Sequence, residues 1–267
     1  MTYRKLLAAA ALLVIQTAIG SLPVCAADAT VSDITRQMFE VPAGEHADLS
    51  GKDLAGLDLS DLDFKSANLS KATLFGADLS GANLSGADLS GAKLDRVTIV
   101  ATRFDGANLE GASFLRPSVF STLAQARTEA PSFKGANMRG IRLFGRLTRA
   151  DLSGADLTGA TVAPFGKTGF IEHIWRTELS GATLEGATLD GADLTHVLLS
   201  FANLKRVSLR EAILKDADLS GADLTGADLS GADLTGADLE GVILRDALGL
   251  DTAIGLKAAR NADKIVR

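Results

Sequence analysis

A five-residue phrase, repeated without interruption, constrains this chain more than any other feature. Residues 217–240 read ADLSGADLTGADLSGADLTGADLE, with a leucine at every fifth position from Leu219 to Leu239 and an alanine two residues before each leucine. A period of five fits neither the 3.6-residue α-helix nor the two-residue strand. It also differs from the heptad of a coiled coil. The leucines therefore cannot be assigned to one face of a helix or of a long strand.

Each phrase nevertheless contains one step of strand alternation. Alanine and leucine are two residues apart with a polar residue between them, so they share one face while the polar residue takes the other. Serine or threonine and glycine follow, and these residues favour turns. The pattern predicts a chain that winds into a coil with alanine and leucine inside. Such coils bury their apolar residues by stacking at about 4.8 Å, the spacing of hydrogen-bonded strands.

These phrases resemble the pentapeptide-repeat family, whose motif is A(D/N)LXX. The resemblance implies an all-β fold, a right-handed quadrilateral β-helix, with about twenty residues in each coil. If four phrases make a coil, Phe64, Leu84 and Phe104 lie on one side of it in successive coils. We count 35 phrases in the sequence, which would give between eight and nine coils.

The repeat divides the chain into segments with distinct predicted roles. Residues outside the repeat at each end are expected to cover the coil, because an open end exposes core and strand edges. We expect short helices in both covers, with Ser32 or Asp33 capping the first and Ile254 in the second. The segments are a signal peptide at 1–26, an N-terminal cap at 27–46, the repeat at 47–245 with interruptions at 116–131 and 163–177, and a helical C-terminal cap at 246–267.

The first 26 residues have the order of charges and apolar residues that is typical of a secretory signal. Arg4 and Lys5 precede the apolar run Leu6–Ile19, and small residues permit cleavage after Ala26. A retained membrane anchor and a lipoprotein cut before Cys25 are alternatives. Cleavage after Ala26 leaves 25 basic and 33 acidic residues, a net charge of −8, and removes the only cysteine. We therefore expect a periplasmic or secreted protein that is not integral to the membrane and has no thiol chemistry.

The sequence contains no recognisable catalytic or metal-binding motif. His46, His173 and His196 are scattered and have no zinc-ligand spacing. No GxSxG elbow is present, and the GxxxxG runs lack the lysine that follows in a phosphate loop. We therefore predict that the protein is not an enzyme and carries no cofactor or metal.

Two charged regions are candidates for binding. The aspartates from Asp218 to Asp238 are expected to point outward, either as a solvated acidic surface or as a calcium-binding array. Residues 127–149 are instead basic, and both neighbouring interruptions carry aromatic residues. Arginine beside exposed aromatic residues is typical of protein interfaces. The candidate partner-binding residues are Phe120, Arg139, Arg142, Arg146, Phe165, Phe170 and Trp175. The alternative is that the aromatic residues fold back over the coil.

These observations favour an exported binding or scaffold protein that contacts an unknown protein through residues 115–178. Basic and aromatic residues can also bind single-stranded nucleic acid, but an exported acidic protein makes a nucleic acid an unexpected partner. A homodimer is compatible with the sequence. The alternative function is DNA mimicry that protects a topoisomerase (gyrase), because some pentapeptide-repeat proteins that confer quinolone resistance resemble an acidic rod. The signal peptide and the basic middle region distinguish this chain from such a protein.

Overall fold

A computed structural model of the protein describes residues 28–42, 45–119, 127–163 and 176–266. Its regular elements are few and short, and most of the remaining backbone forms single-residue bridges at intervals of five residues. The elements are one α-helix, α1 (Val31–Glu40), two strands, β1 (Ser113–Leu115) and β2 (Arg142–Phe144), and three 3-10 helices (Arg127–Glu129, Leu256–Ala258 and Ala262–Lys264).

All the bridges among the described residues are parallel, and they fall into four ladders between Asp48 and Val266. In the regular parts each rung pairs with the residue twenty positions later, so one coil contains four phrases. We number the ladders by their first rungs: Asp48 begins ladder 1, Asp53 ladder 2, Asp58 ladder 3 and Asp63 ladder 4. The two residues that connect one ladder to the next are called a corner. This arrangement is a β-helix, as the repeat predicted.

The backbone of each phrase is hydrogen-bonded both across coils and within its corner. The Leu69 N–H donates to Asp88 O at 2.7 Å in the following coil, and the Asn68 N–H donates to Ala47 O at 2.8 Å in the preceding one. The Ala72 N–H then donates to Leu69 O at 3.0 Å and closes the corner. Since buried backbone groups need hydrogen-bond partners, this pattern explains how the backbone can be buried without forming long strands.

The alanine and leucine positions form one continuous core inside the coil. Phe64, Leu84 and Phe104 follow rungs of ladder 4 in three successive coils, and all three side chains are fully buried. Their predicted stacking is therefore confirmed. Two threonines also lie inside, where their hydroxyls donate to backbone carbonyls: Thr102 Oγ1 to Leu79 O at 2.7 Å and Thr177 Oγ1 to Val162 O at 2.6 Å.

In ladders 1, 2 and 4 the interruptions change the spacing of the rungs without ending the ladder, whereas in ladder 3 no bridge among the described residues joins Ser118 to Arg146. In ladder 1 the rung at Asn108 is followed by Asn137, Asp156 and Thr188, so the offset lengthens at each interruption and falls one short of twenty between them. After Thr188 it returns to twenty. The first break begins later than the predicted residue 116. Ser118 still pairs with Thr98, and the next residue, Val119, is buried, because this phrase keeps its apolar residue facing the core. Residues 120–126 of this interruption lie outside the described residues.

The first end of the coil is bonded to the residues that precede it. Thr30 and Asp33 form a capping box at the start of α1, so the N-cap is Thr30 rather than the predicted Ser32 or Asp33. Ile34 of α1 is fully buried against the core. The Asp28 N–H donates to Asp53 O at 2.8 Å, and the Asp28 carboxylate accepts from the Asp53 N–H at 2.8 Å. Edge groups of the first coil thus have partners.

The C-terminal segment differs from the predicted helix. It adds one more rung to each ladder, at Leu248, Ile254, Arg260 and Val266, and its only helical parts are two 3-10 helices of three residues. The preceding coil accounts for this difference, because its Leu239 N–H donates to Arg260 O at 3.0 Å and a free helix would leave that N–H without an acceptor. Each ladder consequently has ten rungs in the described residues, more than the eight to nine coils expected.

Candidate functional site

The two interruptions flank ladder 3. The first leaves the coil after the rung at Ser118 on ladder 3 and returns at Ser132 on ladder 4. The second leaves after Thr161 on ladder 2 and returns at Glu178 on ladder 3. Between Ser118 and Glu178, Arg146 is the only ladder 3 rung among the described residues. The fold therefore brings the ends of the two interruptions to adjacent corners, about two coils or 10 Å apart along the axis.

A shortened corner lies between these two exits. Arg142 on ladder 2 and Arg146 on ladder 3 are separated by four residues instead of five. The missing residue is accommodated by pairing β1 with β2 over three residues and by Gly145, whose φ is 153°. A Cβ added to Gly145 would lie 2.8 Å from Pro117 Cδ and 3.2 Å from Arg116 Cα, so glycine is required there. The phrase that contains Leu143 is therefore one residue short, and the coil is tightened at this corner.

The three arginines predicted as site residues occupy this same coil. Arg139 lies at the corner between ladders 1 and 2, Arg142 is a rung of ladder 2, and Arg146 is a rung of ladder 3. All three residues are exposed. The aromatic candidates Phe120, Phe165, Phe170 and Trp175 lie outside the described residues. That these seven residues contact a partner protein stays a prediction.

The basic region is matched by carboxylates from the following coil. Lys134 Nζ lies 3.2 Å from Asp151, Arg139 Nη1 lies 3.0 Å from Asp156, and Arg146 Nε lies 2.9 Å from Glu178. Burial raises the pKa of Asp156, but hydrogen bonds from Thr158 and the nearby Arg139 outweigh it and hold that pKa below its ordinary value. The sequence showed the excess of basic residues but not these cross-coil pairs, since each partner lies several phrases further along the chain.

The outward aspartates take part in local hydrogen bonds. Asp228 Oδ1 accepts from the Ser230 N–H at 2.9 Å and from Ser230 Oγ at 2.5 Å, and Asp223 and Thr225 repeat this arrangement. The Ser230 hydroxyl is the main reason that the pKa of Asp228 lies below its ordinary value. Among the described residues, no three histidine, cysteine, aspartate or glutamate side chains are grouped so as to hold a metal ion. Through these hydrogen bonds the carboxylates stabilise the corners, which is compatible with a solvated acidic surface.

An aromatic cluster inside the coil was not recognised from the sequence. The rings of Phe104 and Phe133 are stacked, with centroids 4.9 Å apart, and Phe114 contacts both edge to face. Phe104 and Phe133 follow successive rungs of ladder 4 on either side of the first interruption. The sequence does show that all three phenylalanines stand at leucine positions of the phrase. It does not show that their rings are adjacent, because that depends on how the coil closes around the first interruption.

Comparisons with known proteins agree with this architecture. The family model for pentapeptide repeats matches in eight copies, and the matches cover just over half of the chain, at residues 45–74, 74–111, 177–216 and 212–248. A comparison with curated proteins finds no significant match. Within the described ranges, no helix has the length and apolar character needed to cross a membrane.

Several solved structures of repeat proteins are similar to this chain. HetL from the cyanobacterium Nostoc sp. strain PCC 7120, a pentapeptide repeat protein involved in heterocyst differentiation regulation, is 28% identical over 90% of this chain and 100% of its own, with a TM-score of 0.34. Trypsin-treated QnrB1, a plasmid-mediated fluoroquinolone resistance protein, is 19% identical over 78% of this chain and 88% of its own, with a TM-score of 0.46. Rfr23 from the cyanobacterium Cyanothece 51142 is 27% identical over 59% of this chain and 90% of its own, with a TM-score of 0.32.

Proposed function

This chain belongs to the pentapeptide-repeat family, and from that membership we propose that it is a non-enzymatic binding or scaffold protein whose partner is another protein. We propose that its β-helix is right-handed and has four sides in cross-section, one for each ladder. A rod of this kind offers a long, rigid surface of repeated side chains, which suits recognition by a partner protein.

The contact surface that we propose comprises residues 115–178. The observation that carries this proposal is the convergence of both interruptions on ladder 3, next to the exposed Arg142 and Arg146. Two segments that are far apart in sequence leave the rod at neighbouring corners, whereas the ladders elsewhere keep a spacing of twenty residues or close to it. Loops held by a rigid scaffold are where binding residues concentrate. The aromatic residues Phe120, Phe165, Phe170 and Trp175 complete this surface in the proposal.

We propose that the protein acts outside the cytoplasm, in the periplasm or after secretion. The support is the leader at 1–26, with Arg4 and Lys5 before an apolar run and small residues at the cleavage position. Fractionation of the C-terminally tagged protein, together with sequencing of its mature N-terminus, tests this part. An N-terminus at or next to Ala27 in the extracytoplasmic fraction is expected. A full-length protein in the cytosol would contradict it.

Photo-cross-linking tests the contact surface in the same cells. A photoreactive phenylalanine analogue at Trp175 should give a discrete cross-linked band, and the additional charge reversals Arg142→Glu and Arg146→Glu should weaken it. Phe39 on α1 is exposed and lies far from residues 115–178 in sequence, so the analogue at that position is the matched control. Equal cross-linking from both positions, or a band unaffected by the charge reversals, would remove the assignment of this surface.

A second candidate function, DNA mimicry that protects a gyrase, has one supporting observation. Asp218, Asp223, Asp228, Asp233 and Asp238 lie on the outside of successive phrases as rungs of the four ladders. The support is limited, because Lys205, Arg210 and Lys215 form ion pairs with three of these carboxylates. A supercoiling assay with purified gyrase and a fluoroquinolone separates the two functions. Restored supercoiling would favour mimicry, and no effect would leave the extracytoplasmic role.

A further inference from the structure

Phe201 differs from the residues at its corner in the neighbouring coils by its large, exposed side chain. It lies at the corner between ladders 3 and 4, where the preceding and following coils carry Gly181, Gly221 and Gly241. Its φ is 57°, a left-handed conformation that glycine adopts readily and a phenylalanine does not. The side chain is also 75% exposed. A similar φ occurs at this corner in other coils, at Asp61, Ala101 and Arg149. The large exposed ring, and not the backbone, therefore distinguishes Phe201 and indicates a role outside the core.

One part of the Phe201 ring rests on the next coil and leaves the rest accessible. A Cβ added to Gly221 would lie 2.6 Å from Cδ1 and Cε1 of that ring, so the ring packs where Gly221 has no side chain. Phe75 is the instructive comparison. There the corner of the next coil supplies Arg96, whose guanidinium lies 5.5 Å from the centre of the Phe75 ring. Gly221 cannot supply a cation in the same way.

The surroundings of Phe201 are acidic. The Phe201 N–H donates to Ser220 O at 2.8 Å, and Asp218 stands two residues before Ser220. Asp218 Oδ1 accepts from the Ser220 N–H and hydroxyl, which fixes the orientation of its carboxylate. From Glu178 to Gly241, ladder 3 and this corner carry four carboxylates and no lysine or arginine. Glu178 and Glu240 form ion pairs with Arg146 and Lys264, so the relevant carboxylate is Asp218.

We propose that Phe201 and Asp218 form a docking site for a lysine or arginine side chain on a partner protein. The cation would lie over the accessible part of the ring, as Arg96 lies over Phe75, and would be attracted by the nearby carboxylate. The site is independent of the interruptions and goes beyond the contact surface proposed above. Arg149 occupies the same corner two coils before Phe201, so a partner held at residues 115–178 could also reach it.

Fluorine NMR tests this site with a defined probe. The protein is labelled with 4-fluorophenylalanine and titrated with the acetylated, amidated peptide Gly-Arg-Gly-Arg-Gly, and the Phe201 signal is assigned by its loss in Phe201→Leu. The Phe201 signal should shift and saturate, while that of Phe39, which is 85% exposed on α1, should not. The same peptide with citrulline in place of arginine is the neutral control and should leave both signals unchanged.

Variants separate specific docking from general attraction to an acidic protein. Phe201→Leu should weaken peptide binding about fivefold, the loss expected for an exposed cation–aromatic contact. Asp218→Asn should weaken it about threefold. Phe201→Gly places at this corner the residue used in neighbouring coils, so it should fold at least as stably as the parent and bind no better than Phe201→Leu. Equal shifts at Phe39 and Phe201, or unchanged affinity in Phe201→Leu, would overturn the proposal.

Discussion

The ring of Phe133 lies parallel to that of Phe104, with an interplanar angle of 3° and 4.9 Å between centroids, although the first interruption lies between them in sequence. In a regular coil these two positions would be only four phrases apart. The stack therefore holds together the two coils that the first interruption separates, and Phe114 supports it from ladder 2 with a ring centroid 5.9 Å from that of Phe133.

Replacing Phe133 by leucine should destabilise the protein more than the same change at Phe64. Both side chains are fully buried, so they lose similar apolar area, but Phe133 also loses two aromatic contacts. The additional loss should be about 0.5–1.5 kcal/mol in the free energy of unfolding. Chemical denaturation of the two variants measures it. Equal losses would show that the aromatic contacts add nothing to simple burial.

Replacing Leu84 by asparagine should be strongly destabilising. Leu84 is fully buried between Phe64 and Phe104 in consecutive coils of ladder 4. The change removes apolar volume and also buries an amide that has no hydrogen-bond partner, and together these effects should cost about 3 kcal/mol or more in the free energy of unfolding. Leu84→Met keeps the volume and should cost less than about 1.5 kcal/mol. A thermal melt of Leu84→Asn that matches the parent would contradict the assigned core.

Alanine at Gly145 should be far more costly than alanine at Gly154. Both glycines have positive φ, at 153° and 66°. A Cβ on Gly145 would collide with Pro117 and Arg116, whereas a Cβ on Gly154 would meet nothing within 4 Å. Gly154→Ala should therefore cost about 1 kcal/mol from backbone strain alone, and Gly145→Ala should cost more. Equal denaturation midpoints for the two variants would contradict the tight corner between ladders 2 and 3.

Acid should destabilise the protein through its outward aspartates. Hydrogen bonds from Ser230 and Thr235 are the main causes that lower the pKa of Asp228 and Asp233 in the folded state. A lowered folded pKa gives stability that is present above the unfolded value of about 3.9 and is lost as pH falls through the folded value. Unfolding free energies measured from pH 6 to pH 2.5 should show this decline.

The variant Asp228→Asn isolates one contribution to that decline. Asparagine retains an acceptor for the Ser230 N–H but does not titrate, so the stability of the variant should depend less on pH below 4 than that of the parent. Asp263→Asn is the control, because it replaces a carboxylate in the last coil that has no such serine or threonine two residues later. A pH dependence unchanged by Asp228→Asn would show that its carboxylate titrates alike in both states.

The sequence predicted the coil because the phrase repeats its own local physics. Leu84 is buried for the same reason as every leucine of its type, so its position in the core follows from counting. The C-terminal coil was missed because residues 246–267 abandon the five-residue spacing, and its rungs at Ile254 and Arg260 follow Asp233 and Asp238 at offsets longer than twenty. Hydrogen-bond partners in the preceding coil decide such a segment, and a local pattern does not reveal them.

The candidate site was predicted only as a list of residues. Arg142 and Arg146 were expected to point outward, but no local pattern indicated that both interruptions lie beside ladder 3. That arrangement depends on which corner each inserted segment leaves, and therefore on rung assignments such as the pairing of Arg146 with Glu178 across the second interruption. Phe201 was overlooked for another reason: it occupies a corner, where the phrase accepts many residue types, and its exposure is visible only in the structure.

The return of the ladders to a twenty-residue offset after Thr188 has an evolutionary consequence. Added chain leaves and re-enters at corners while the coils on either side keep their pitch, because each coil bonds only to its immediate neighbours. Selection can therefore lengthen, shorten or exchange the inserted segments with little effect on how the rest of the protein folds. Recognition can diversify in such a molecule while stability is inherited unchanged.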